Sequence, residues 1–153
     1  MAAVSERNCC LEVLDVRPVI AKGEHPLAEV MTIAQALEPN GVLELIAPFE
    51  PRPLMARLRD AGCEVTSQHQ PDGTWLVRAG KDHLAPLEEL TLLPAPEPLE
   101  RVLEASARLL PGAVFTAHLP RNPALLTPHL EARGLRWKVA ERPDGTAVVW
   151  VKR

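Results

Sequence analysis

Tyrosine is absent from the 153 residues, and aromatic side chains make up only 3% of them. Leu, Val and Ala must therefore fill the cores, and stacking platforms for single-stranded nucleic acid are in short supply. A basic excess is missing too. Against 20 Asp and Glu stand 17 Lys and Arg, a net charge of −3, so there is no surplus of cations to release counterions from a phosphate backbone, and nucleic acid is not expected as a partner. No apolar run approaches the ~18 residues of a membrane span. The opening MAAVSERNCC carries Glu6 and Arg7 where a signal peptide would place its apolar core. No membrane is expected, and the expected location is cytoplasmic. The three cysteines, Cys9, Cys10 and Cys63, are too few for a disulfide framework, and adjacent Cys9 and Cys10 would close a strained ring, so reduced thiols are expected.

Catalytic signatures are equally scarce. No Ser-His-Asp order, phosphate-cradling glycine loop or dinucleotide fingerprint is found. His25, His69, His83, His118 and His129 show no short ligand spacing with one another or with the cysteines. No cofactor or metal is expected, and an enzyme is unsupported.

What the chain does contain is itself, twice. A shift of 72 lays Pro26, Leu27 and Val30 on Pro98, Leu99 and Val102, and Leu37, Pro39 and Val42 on Leu109, Pro111 and Val114. Pro48, Pro51, Leu54, Leu58 and Gly62 fall on Pro120, Pro123, Leu126, Leu130 and Gly134, and the run Pro71-Asp72-Gly73-Thr74 recurs as Pro143-Asp144-Gly145-Thr146. The identities sit at helix starts, turns and core positions, where geometry or burial restricts the choice.

Each half spells one string of elements. In the first, Leu11 to Val16 reads as a short strand, followed by a glycine-containing loop and a helix opened by Pro26. Leu27, Val30, Met31, Ala34 and Leu37 form one apolar stripe at helical spacing. Pro39-Asn40-Gly41 stops that helix, Val42 to Ala47 is an apolar strand, and Pro51 opens a second helix that Gly62 ends. Glu64 to His69 and Trp75 to Ala79 flank Asp72-Gly73, a strong hairpin signal. The order strand, helix, strand, helix, strand, strand predicts an α+β two-layer sandwich, with both helices on one face of a four-stranded mixed sheet.

The expected division is a flexible tail over 1–10, a first domain over 11–80, a link over 81–86 and a second domain over 87–153. A unit of about 70 residues buries a modest core, so packing against its twin as a pseudo-dimer, or against another chain as a homodimer, would help it. Trp137, Val139, Val148 and Trp150 could supply such a face in the second half, or fill its core.

The segments LDVRPVIAKGEHPLAEVM, GVLELIAPFEPRPLMARLRDAGCEV and APEPLERVLEASARLLPGAVF resemble the bacterial family known as domain of unknown function 2249, which is similar to the TusA/SirA sulfur carriers. The resemblance covers nearly the whole chain, twice. It implies a TusA-like fold and a bacterial cytoplasm. Relatives joined to haemerythrin-like domains further imply redox or nitrogen-oxide physiology. TusA-type carriers bear a Cys-Pro-x-Pro motif before the first helix, where the helix end favours a thiolate. Here Ala95-Pro96-Glu97-Pro98 places alanine at the cysteine position, and the first half has Gly23-Glu24-His25-Pro26 after a two-residue insertion. Neither can carry a persulfide there. Asp15 and Arg17 fall on Glu89 and Thr91, so the acid is kept and the base lost.

These readings favour a non-enzymatic binding or interaction module. Arg17, Lys22, Gly23, His25 and Pro26 are its candidate ligand contacts, for a partner protein or a small anion at the helix end. Arg17 could equally pair with Asp15. The alternatives are a thiol-dependent carrier or redox protein using Cys9, Cys10 or Cys63, and a metal-binding accessory protein.

Overall fold

A computed structural model describes residues 10–153. The chain divides into two compact units, one ending at Leu84 and the other running from Ala85 to Arg153. Cys9 and most of the expected tail lie outside the described residues. Cys10 does not behave as tail, since it is buried and its carbonyl accepts a hydrogen bond from the Val42 N–H.

The first unit comprises β1 (Leu11–Asp15), α1 (Arg17–Ala21), α2 (Leu27–Ala36), β2 (Val42–Ala47), α3 (Arg52–Asp60), β3 (Cys63–His69) and β4 (Trp75–Lys81). The sheet order is β1-β2-β4-β3. β1 runs parallel to β2, with Leu11 opposite Val42 and Asp15 opposite Ile46, while β4 is antiparallel to both its neighbours. Strand alternation sends Leu43, Leu45, Ala47, Val77 and Ala79 to one face, where they pack with Val30, Ile33 and Ala34 of α2 and Leu54, Met55 and Leu58 of α3. Both helices therefore cover the same face, as the crossover rule requires. Each fully buried Leu or Ile contributes about 1.5–3 kcal/mol.

The β3–β4 hairpin closes as expected. The Asp72 carboxylate accepts bonds from the Thr74 N–H at 2.9 Å and its hydroxyl at 2.6 Å, and Gly73 takes φ +90°, a conformation glycine reaches without a Cβ penalty.

The second unit repeats the design with β5 (Leu87–Glu89), α4 (Glu97–Ala107), β6 (Val114–Leu119), α5 (Thr127–Ala132), β7 (Arg136–Glu141) and β8 (Ala147–Lys152), in the order β5-β6-β8-β7. Its core joins Leu90, Val102, Ala117, Leu119, Leu126, Leu130, Val149 and Val151. The four residues singled out for an outer face divide between the two faces. Trp137 and Val139 pack against the helix-side core, because Trp137 lies opposite Val151. Val148 and Trp150, one place out of phase with Val149 and Val151, are fully buried on the other face.

The halves differ in the first strand, where β5 has three residues against the five of β1, and at their helices. α5 begins at Thr127, whereas its counterpart α3 begins at Arg52, a matched position three residues earlier. Pro128 has no N–H and is tolerated only in a first turn, so the helix starts late. The two extra residues of the first half enter α1, a short helix that the sequence pattern does not predict.

Candidate functional site

In the first unit a cavity of about 440 Å³ opens outside the carboxyl ends of β1 and β2. This is the crevice where ligands commonly sit on sheets of parallel crossover design. Val16 follows β1, Ile20 belongs to α1, residues 23–27 lead into α2, Phe49 follows β2, Pro51 precedes α3, and Pro53, Leu54 and Arg57 lie along it. The walls are mainly aliphatic, and Phe49 is half exposed at 51%. Glu24, His25 and Arg57 supply the ionisable groups of the lining. Among the described residues none of the three forms an ion pair.

Of the five residues expected to contact a ligand, Gly23, His25 and Pro26 border the cavity, and Arg17 and Lys22 do not. Arg17 is turned to its own neighbour. Its Nε and Nη2 donate to the Asp15 carboxylate at 2.9 and 2.8 Å, and its backbone N–H donates at 3.0 Å. The guanidinium hydrogen bond holds the Asp15 carboxyl below the usual carboxylate range, although partial burial works the other way. Lys22 caps the end of α1.

The half of the cavity wall that comes from Phe49 to Arg57 has no counterpart among the expected contacts. The proline-rich run Pro48-Phe49-Glu50-Pro51-Arg52-Pro53 is the signal that points to it, since a large aromatic beside helix-opening prolines leaves an apolar side chain at a strand end. In the second unit Ala95, Pro96 and Pro98 border a smaller cavity at the matched place, and Glu97 does not.

A polar cluster lies elsewhere, on the second unit's sheet. Glu89 sits opposite His118, and the His118 Nδ1 is 2.9 Å from a Glu89 carboxylate oxygen. Nε2 is 2.7 Å from the Thr146 hydroxyl, and Arg142 Nη1 lies 3.1 Å from Nε2. Acid, imidazole and hydroxyl thus stand in line, but the Thr146 hydroxyl donates to Asp144 at 2.5 Å. Its proton is directed at a carboxylate and not at the imidazole, which is the wrong polarity for a nucleophile activated by histidine. Burial raises the Glu89 carboxyl, and hydrogen bonds from His118 and Thr91 outweigh it, leaving the group below its ordinary range. The Glu89 bonds to the Thr91 N–H and hydroxyl repeat the Asp15 bond to the Arg17 N–H.

The thiols are enclosed. Cys10 and Cys63 are both buried. Burial pushes the Cys63 thiol up, with Lys81 opposing and Asp82 adding, the reverse of what a nucleophilic or carrier cysteine needs. Among the described residues no group of three His, Cys, Asp or Glu side chains is placed to hold a metal ion, and no helix is long and apolar enough to cross a membrane.

No curated protein and no solved structure matches the chain. A family model described as uncharacterized conserved protein (DUF2249) matches residues 13–81 and again 89–153. With the same βαβαββ unit built on both matched segments, the chain belongs to that family as a tandem pair of its domains.

Proposed function

We propose that this chain is a non-enzymatic binding module whose first unit takes up a small, largely aliphatic ligand bearing one anionic group. The carrying observation is the 440 Å³ cavity itself. Its volume falls within the range of about 300–1,000 Å³ usual for ligand pockets, and its lining combines apolar walls with a few polar groups. Arg57 and His25 stand at the cavity without carboxylate partners among the described residues, and a guanidinium can hold a carboxylate through two parallel hydrogen bonds. Gly23 at the place of a carrier cysteine, with Cys10 and Cys63 buried, supports binding over sulfur relay. Descent from a TusA-like carrier, a bacterial cytoplasmic setting and a link to redox or nitrogen-oxide metabolism are part of this reading, on the strength of the sequence resemblance.

Octanoate is a suitable probe. Titrated into isotope-labelled protein, it is expected to move amide resonances of residues 23–27 and 49–57 to saturation. Arg57→Gln should weaken binding about tenfold, the worth of one charge-assisted contact. Non-saturating shifts, or full affinity in Arg57→Gln, would overturn the assignment.

A further inference from the structure

The second unit carries the same crevice with different chemistry. Its cavity, about 280 Å³, lies between the residues that lead into α4 and those that follow β6. Matched positions around the two cavities are Gly23 and Ala95, Glu24 and Pro96, Leu27 and Leu99, Phe49 and Arg121, Pro53 and Leu125. Glu24, His25 and Arg57 have no ionisable counterpart in the second lining, and Arg121 stands where the first has Phe49.

Arg121 is the only ionisable side chain of this lining. It forms no ion pair among the described residues. Asn122, the other polar side chain there, donates to Glu141 at 3.0 Å. A lining with one free guanidinium and no carboxylate selects a single negative charge. The remaining walls are proline and aliphatic, and the volume is less than two thirds of that in the first unit, which restricts the apolar part to a few carbons.

We propose that this cavity is a second, independent ligand site that takes a short-chain aliphatic carboxylate. The carboxylate is held by the Arg121 guanidinium, and the alkyl chain lies against Ala95, Leu99 and Leu119. The site does not depend on occupancy of the first unit's cavity, because its lining comes wholly from the second unit.

Butyrate and hexanoate, with hexanol as the uncharged control, test this on the full chain by amide shift mapping. Saturable shifts are expected at residues 95–99 and 119–125 with both acids. Arg121→Gln should weaken them about tenfold, and Ala95→Leu, a change at an exposed cavity-lining position, should abolish them by filling the space. Octanoate shifts at residues 23–27 should survive in both variants, and unchanged amide resonances of β6, β7 and β8 certify that the second unit of each variant is folded. Absence of saturable shifts at the second cavity, unchanged affinity in Arg121→Gln, or hexanol binding as tightly as hexanoate would each overturn the proposal. If the first cavity alone responds to octanoate and the second to neither short acid, this inference falls while the first unit's assignment stands. Saturable binding at the second cavity alone supports this inference and removes the first unit's assignment.

Discussion

Buried polar side chains show where the two copies have parted. On β2 and β4, Glu44 and Arg78 are directly opposed, both buried, and joined at 2.9 Å. A charge removed from water is tolerated when it is paired, and truncating either partner of such a pair costs about 3–5 kcal/mol. The matched positions in the second unit are Thr116 and Trp150, which are again opposed across the sheet, so one copy keeps ions where the other keeps a hydroxyl and an indole. Ser106 is the less settled case. It is fully buried in α4, and its hydroxyl has no hydrogen-bond partner among the described residues. Its counterpart is Ala34, a member of the first unit's core. A buried hydroxyl without a partner costs about 1–3 kcal/mol, while the alanine methyl that replaces it leaves no sizeable void. Ser106→Ala should stabilise the protein by about 1 kcal/mol, read as a higher urea midpoint at unchanged slope. A lower midpoint would show that the hydroxyl is satisfied in solution.

At the level of elements, β4 illustrates a constraint that has no equivalent in the other half. A Cβ added to Gly80 would lie 2.5 Å from the His83 carbonyl oxygen and 2.6 Å from the Leu84 Cα. The chain doubles back there, with Asp82 at φ +65° and its N–H donating to the Gly62 carbonyl. The obstacle is backbone and cannot swing aside. Gly80→Ala should therefore destabilise by about 1–3 kcal/mol, the usual cost of overpacking, and thermal melting would register it. The matched residue on β8 is Lys152, whose full side chain the second unit accommodates.

The same contrast explains what can be read from the sequence. Strands and the two main helices of each unit are legible, because their apolar spacing and proline and glycine boundaries are local signals. The repeat doubles the evidence for each of them. Ile33, buried at the heart of α2, is missing from the stripe read in the sequence although it stands three residues after Val30 and four before Leu37, on the same helical face. The five-residue α1 has too few residues to show a period. At the candidate site, the loop residues Gly23, His25 and Pro26 are found through the resemblance to a carrier motif, whereas Phe49 and Arg57 join them only once β1 and β2 are paired in parallel. Arg17 looks like an anion ligand in the sequence, but a carboxylate two residues away takes its Nε and Nη2 hydrogens.

Across the whole molecule, the described thiols and Ala95 lie in different units. Cys10 and Cys63 belong to the first, where both are buried. Ala95 belongs to the second, is exposed at the tip of α4, and borders the cavity. A cysteine placed there would meet free N–H groups of the helix end, which favour a thiolate, but also Glu97 and Glu100 of the first turn, which oppose it. Access, more than acidity, then decides the rate. In Ala95→Cys the new thiol should react with iodoacetamide on the order of tenfold or more faster than Cys63, since residue 95 is exposed whereas Cys63 is buried and its thiol is held above the ordinary range. Peptide mapping after a brief pulse distinguishes the sites. Labelling of Cys10 or Cys63 as fast as residue 95 would mean that the first unit opens readily and that its thiols are available for chemistry. Protection of both, with rapid labelling at 95, is the outcome that fits thiols with a structural role in the first unit's core.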